Sequence, residues 1–174
     1  MSEQAQSKAR HIRMLVLDVD GVLTDGRLYY GNAGEELKAF SIKDGLGIKL
    51  LQQANIPVAI ITGRNSQIVQ RRANELGIAH IIQGREDKRT ALSELCNDVG
   101  LSPQDCAYMG DDLPDLGAIR AAGLGMTVSD GTRRVLEAAD WCSSAEGGNG
   151  AVREACEFIL AARGLLDDAE AAFE

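Results

Sequence analysis

Six apolar runs of strand length recur along the chain: MLVLDV from Met14, VAIIT from Val58, AHIIQ from Ala79, CAYMG from Cys106, GMTV from Gly125 and DWCSS from Asp140. They are continuous rather than alternating, the pattern of parallel strands covered on both faces. Stretches of helical period lie between them: Leu46, Leu50 and Leu51 with Ala54; Ile68, Val69 and Ala73 with Leu76; Ala91, Leu92 and Leu95 with Val99; Val152, Ala155, Cys156 and Ile159 with Leu160. Strand alternating with helix predicts an α/β fold, a doubly wound Rossmann-like parallel sheet. The balance of 19 glycines against 3 prolines suits many tight strand-to-helix turns. One segment breaks the rhythm. RLYYGNAGEELKAFSI sets two short β-like runs around Asn32, Ala33 and Gly34, which predicts a projecting β-hairpin over about residues 26–41. The 174 residues suffice for one globular domain and are too few for two ordinary ones, so residues 1–174 are read as one domain. No repeat or low-complexity tract interrupts it, and the last ten residues, LLDDAEAAFE, read as a helix end or a loose acidic tail.

The net charge of −8 repels polyanions, which argues against nucleic acid and anionic membrane as partners while leaving room for local capture of a small anion. The polar opening MSEQAQSKARHIR has no apolar core of a signal peptide, and the longest apolar runs are far short of a membrane span, so a soluble, cytoplasmic protein is expected. Cys96, Cys106, Cys142 and Cys156 are widely spaced among apolar neighbours and read as buried free thiols. His11 and His80 belong to no motif and read as structural or exposed.

Carboxylates carry the chemistry. In LVLDVDGVLTDG, Asp18 and Asp20 follow a buried strand directly, at the carboxyl end where open α/β sheets bind ligands. Residues two apart share a strand face, so two negative charges sit side by side and repel unless a proton or cation intervenes. The problem recurs in YMGDDLPD, where Asp111, Asp112 and Asp115 follow the strand ending near Met109. Alone, Gly-Asp-Asp reads as a turn and helix cap. If the two strands are neighbours, the acids converge, and hard oxygen ligands without His or Cys select Mg²⁺ over zinc. Thr62-Gly63-Arg64 follows the VAII strand and precedes a helix, where a hydroxyl and backbone N–H groups would hold phosphoryl oxygens. Lys88 opens a helix after the third strand and would neutralise the same oxygens.

The order DxDGV, Thr, Lys, GDDxxD, each after a successive strand, resembles the haloacid dehalogenase superfamily of phosphatases over almost the entire chain. The resemblance implies Asp18 as the nucleophile that forms an aspartyl-phosphate, and Asp20 as general acid and then general base. It implies Mg²⁺ held by the Asp18 side chain, the Asp20 main-chain carbonyl and Asp111, with Thr62 and Lys88 on the transferring group and Asp112 and Asp115 as supports behind them. Asp20 argues for phosphoryl transfer, because dehalogenase members lack that second Asp. Only 43 residues separate Asp18 from Thr62, too few for a cap domain, which disfavours a mutase that must keep its intermediate from water. Receiver domains combine the same residue types in another order, with the acidic pair first and Lys after Thr.

GEELKAFSIKDGLGIKLL, AIITGR and GGNGAVRE further resemble the capless 3-deoxy-D-manno-octulosonate 8-phosphate phosphatases of lipopolysaccharide sugar synthesis. That family implies substrate contacts at Asp20, Ser41, Ile42, Lys43, Asp44, Gly45, Lys49, Arg64, Arg72 and Lys88. A phosphatase of a nine-carbon, sialic-acid-type 9-phosphate is the alternative. The chain departs from the family pattern at Lys43, where members often carry Arg, and at Asn149, where they carry Arg or Lys; Lys does not replace Arg in bidentate carboxylate binding. A capless site needs walls from elsewhere. The hairpin is expected to expose Tyr29, Tyr30, Leu37 and Phe40, and the resemblance implies a homotetramer in which hairpins join and a neighbour covers the site. The loop of residues 147–150 and the C-terminal segment would then reach over that neighbour.

Overall fold

The computed structural model describes residues 3–34 and 36–173. Met1 and Ser2 of the polar opening, Glu35 in the hairpin and Glu174 of the tail lie outside the described residues. The strands are β1 (Met14–Leu17), β2 (Tyr29–Tyr30), β3 (Glu36–Leu37), β4 (Val58–Ile61), β5 (His80–Ile82), β6 (Cys106–Met109), β7 (Leu124–Thr127) and β8 (Trp141–Cys142). All but β2 and β3 form one sheet in the order β5-β4-β1-β6-β7-β8, parallel throughout. Each of the six predicted apolar runs is one of these strands.

Strand alternation divides the core. Leu15 and Leu17 enter one apolar layer, and Met14 and Val16 enter the other. The first layer is covered by α1 (Glu3–Ala9), α2 (Ile42–Gln53), α3 (Gln67–Glu75) and α7 (Ala151–Ala162). The second is covered by α4 (Lys88–Asp98), α5 (Leu116–Ala121) and α6 (Arg133–Ala138). The tail forms α8 (Leu166–Ala171), a helix rather than a loose end. The periodicity misses α1, α5 and α6 because helices of six or seven residues show too few turns to register a period.

Three packing expectations are corrected. Leu46 is 37% exposed, because α2 turns Gly45, Gly47, Ile48 and Leu51 inward; a Cβ on Gly47 would sit 3.0 Å from the Cα of Arg153 on α7, so the two helices meet at glycine distance. Cys142 is exposed rather than buried, since edge strand β8 turns Trp141 into the core and its neighbour outward; the other three thiols are free and buried. The hairpin exposes Tyr29, Tyr30 and Leu37 as expected, whereas Phe40 packs on the core beneath the Arg72 guanidinium, 5.9 Å from the ring centre.

The chain leaves β1 for β4 on one side of the sheet and returns to β6 on the other, so strand order reverses at β1. Ligands bind in α/β sheets at such a switch point, outside the strands' carboxyl ends. Among the described residues, the hairpin, α2 and β4 are the only regular elements between Asp18 and Thr62, and no cap domain rises there. None of the described helices is long and apolar enough to cross a membrane.

Candidate active site

The Asp18 N–H donates to the Met109 carbonyl at 3.0 Å, carrying the β1–β6 ladder one step past the strand. The chain then doubles back. The N–H groups of Val22, Leu23 and Thr24 donate to the Val19 carbonyl, and those of Gly21 and Gly26 donate to the Thr24 hydroxyl. Gly21 sits at φ +87°, and a Cβ there would lie 2.1 Å from Asp111 Oδ2. The glycine of DVDGV is therefore what admits the second acidic segment beside the first. The glycine loop closes on the same turn: the Gly148 N–H donates to the Val22 carbonyl at 2.9 Å, and a Cβ on Gly147 would strike the Gly21 carbonyl. The loop of residues 147–150 is thus anchored on the turn that follows β1.

A cavity of about 330 Å³ opens at this end of the sheet, lined by Asp18, Asp20, Thr62, Arg64, Lys88, Asp111, Asp112 and Asp115. Lys88, 4% exposed, is the first residue of α4, and its Nζ lies 2.8 Å from Asp18 Oδ2 and 2.7 Å from Asp115 Oδ1. Asp115 also accepts from the Tyr108 hydroxyl at 2.8 Å and from the N–H groups of Asp111 and Asp112 at 3.2 and 3.3 Å. Both its oxygens are thus engaged within the protein, so Asp115 braces the acidic loop and Lys88. Asp112 caps the short 3-10 turn Leu113–Asp115, accepting from the Leu113 N–H at 2.7 Å, which makes Gly-Asp-Asp a turn and a lining of the cavity at once.

Carboxylate oxygens of Asp18, Asp111 and Asp115 lie within 4.8 Å of one another. Burial, then the charge of Asp115, push Asp18 well above the ordinary carboxylate range, against the pull of Lys88. Burial, Asp115 and Asp112 raise Asp111 to about 7. Burial by itself would lower the Lys88 ammonium, but Asp18 and Asp115 outweigh it and hold the lysine above its usual value. These crowded acids, all oxygen donors, suit a hard divalent cation such as Mg²⁺.

Asp20 lines the same cavity from the turn. One carboxylate oxygen forms an ion pair with Lys38, and the other lies 4.0 Å from Arg64 Nε. The Thr62 hydroxyl accepts from the Arg64 N–H at 3.5 Å. Helix α3 starts only at Gln67, with Ser66 as its N-cap, so Thr62 and Arg64 line the cavity from a loop and not from the first helical turn.

The remaining predicted substrate residues lie apart from this cavity. Ile42, Gly45, Lys49 and Arg72 line a second depression of about 200 Å³ that shares no residue with the first. The Ser41 side chain caps α2, accepting from the N–H groups of Lys43 and Asp44, while the Ser41 carbonyl accepts from Arg72 at 3.4 Å. Asp44 is buried and accepts from the Arg153 N–H at 2.9 Å, tying α2 to the start of α7; its second oxygen has no partner among the described residues, and burial raises its pKa. Lys43 is exposed.

Sequence reasoning missed Lys38, Tyr108 and Glu86, the last a cavity-lining carboxylate. The signal for the first was slight, a lone lysine just past the two-residue strand β3. A lone tyrosine within CAYMG was a weaker one.

Comparison with known proteins gives a consistent result. Residues 43–123 match the haloacid dehalogenase-like hydrolase family. The chain is 46% identical over 170 residues to the 3-deoxy-D-manno-octulosonate 8-phosphate phosphatase KdsC of Salmonella typhi, covering 98% of this chain and 90% of that protein. The crystal structure of the Moraxella catarrhalis 3-deoxy-D-manno-octulosonate 8-phosphate phosphatase, with magnesium ion, phosphate ion and KDO, superposes with a TM-score of 0.98 at 49% identity, covering all of both chains. That of the Yersinia pestis phosphatase superposes with a TM-score of 0.94 at 44% identity, covering 96% of this chain and 90% of the other.

Proposed function

The chain belongs to the 3-deoxy-D-manno-octulosonate 8-phosphate phosphatase family of haloacid dehalogenase-like hydrolases, and from that premise we propose that it is a Mg²⁺-dependent phosphatase. It hydrolyses 3-deoxy-D-manno-octulosonate 8-phosphate to the free sugar acid and phosphate, in lipopolysaccharide sugar biosynthesis. The observation that carries the reading is the meeting of Asp18, Asp20, Thr62, Lys88 and Asp111, scattered over the sequence, around one cavity at the switch point of the sheet.

In this mechanism an Asp18 oxygen attacks phosphorus, and the ester oxygen leaves with a proton from Asp20, so that the P–O bond to the sugar breaks as the aspartyl-phosphate forms. Asp20, now ionised, takes a proton from water as that water attacks phosphorus, releasing phosphate and restoring Asp18. Lys88 and Thr62 hold the transferring oxygens, and Asp112 and Asp115 keep the acidic loop in place. Asp18, the Asp20 main-chain carbonyl and Asp111 would hold Mg²⁺, which supplies the charge neutralisation that lets an anionic nucleophile approach an anionic phosphoryl group.

Substrate binding by Ser41, Ile42, Lys43, Asp44, Gly45, Lys49, Arg64 and Arg72 completes the proposal, together with a homotetramer in which the second depression of one subunit contributes to a neighbour's site. Two features support it: the exposure of Tyr30 (69%), Leu37 (65%) and Ile42 (83%), and the separation of the two cavities within one chain. A cytoplasmic location agrees with the thiols of Cys96 and Cys106, which lie 3.5 Å apart and are not joined.

Purified protein assayed on a panel of phosphosugars should prefer the eight-carbon 8-phosphate; a clear preference for a nine-carbon 9-phosphate would assign the alternative substrate. Asp18→Asn should fold and lose turnover, and full activity in that variant or in excess EDTA would refute the mechanism. Losing one charged contact to the substrate carboxylate costs on the order of 2 kcal/mol, so Lys43→Ala should hurt the sugar phosphate about thirtyfold more than p-nitrophenyl phosphate.

A further inference from the structure

The hairpin carries a residue that its setting does not explain. Tyr29, Tyr30 and Leu37 are exposed on this two-stranded ribbon, yet the side chain of Lys38, next to Leu37, has no exposed surface. A lysine withdrawn from water requires a partner for its charge, and Asp20 is among the partners of Lys38. The anchor is Phe40, two residues further along the segment that leaves β3, packed on the core under Arg72. The ribbon thus points its apolar residues outward and delivers one cation inward, onto the carboxylate that lines the cavity beside Asp18.

We propose that Lys38 is a positioning residue for Asp20: it grips one carboxylate oxygen from the hairpin and leaves the other, 4.0 Å from Arg64 Nε, directed to the leaving oxygen of the substrate. This rests on the phosphatase reading and adds to it an acid/base group held in register by a separate element. Asp20 sits in a turn that Gly21 opens, and a carboxylate has several staggered rotamers to choose among unless a partner selects one. Proton transfer to a leaving group demands a short, aligned approach, which a fixed rotamer provides in advance. A merely stabilising ion pair would make no distinction between substrates. A clamp on the general acid does, because an alkyl phosphate needs its leaving oxygen protonated and p-nitrophenyl phosphate does not.

The experiment compares kcat/KM, which reports the steps through aspartyl-phosphate formation, for an alkyl sugar phosphate and for p-nitrophenyl phosphate in wild type, Lys38→Met and Lys38→Arg. Lys38→Met should lose about thirtyfold or more on the sugar phosphate and less than about threefold on the aryl ester, and Lys38→Arg should recover most of the loss. Introduced into Asp20→Asn, Lys38→Met should cost nothing further, since the group it positions is gone. Equal losses on both substrates, an undiminished loss in the Asp20→Asn background, or a rise in KM alone would each overturn the proposal. Should Lys38→Met fail to fold, Lys38→Gln carries the same comparison. Wild type inactive on every phosphomonoester would overturn the phosphatase reading and this inference together, whereas an active wild type with equal losses overturns the inference alone.

Discussion

Two carboxylates in the cavity, Asp18 and Asp111, have pKa values raised by burial and by neighbouring acids, Asp111 to about 7. In the metal-free protein both therefore retain protons toward neutral pH, and a divalent cation must displace them. Mg²⁺ affinity should rise between pH 6 and 8, by up to about tenfold per pH unit for each proton displaced, and titration calorimetry in buffers of different ionisation enthalpy would count those protons. The linkage to stability has the opposite sign. A raised acid favours the fold below its unfolded value and loses that contribution as pH rises through its folded value, near 7 for Asp111. Metal-free protein should thus lose stability from pH 5 to pH 8, and Mg²⁺ should restore it more at pH 8 than at pH 6. Affinity that is flat with pH would contradict this account. The identities of these acids were legible as DxDGV and GDDxxD. The resemblance already set Asp115 behind the others, but the contacts that occupy it were not legible, because they depend on Lys88, 27 residues earlier in the chain, and on Tyr108.

At the level of elements, the site depends on how closely two loops approach. Gly21 at φ +87° leaves the space that the Asp111 carboxylate fills. Gly21→Ala combines a left-handed backbone with a collision, and should destabilise the protein by roughly 2 kcal/mol, about 4–8 °C in Tm. It should also weaken Mg²⁺ binding by about tenfold or more, since Asp111 must move. Gly77→Ala is the control: its φ is +70°, but no atom lies within 4 Å of the added Cβ, so it should carry the backbone cost and leave Mg²⁺ affinity unchanged. Equal effects of the two on metal binding would refute the close-approach argument. Such glycines can be noticed in a sequence, but their reason lies in the neighbouring segment. The same holds for α2, where Leu50 and Leu51 are buried as the leucine pattern suggested, while the glycine contact with α7 leaves Leu46 outside.

For the molecule as a whole, the proposed tetramer follows from apolar surface that one chain leaves uncovered, with Leu37 and Tyr30 both about two-thirds exposed. Light scattering should report a mass near four chains of 18.6 kDa, and Leu37→Glu, which charges the hairpin face, should yield smaller species with poorer sugar-phosphate turnover. A wild type that is monomeric at assay concentration, yet active and selective, would rule it out. The sequence by itself determined the sheet and the order of its chemistry, because strand and helix periods are local and because a parallel sheet carries residues at successive strand ends to one edge. Tertiary structure alone decided which side chains turn into that edge. Asp44 accepted from the start of α7, Arg72 covered Phe40, and Lys38 joined Asp20, since loops and two-residue strands have no period to read and these contacts span 18 to 109 residues of chain.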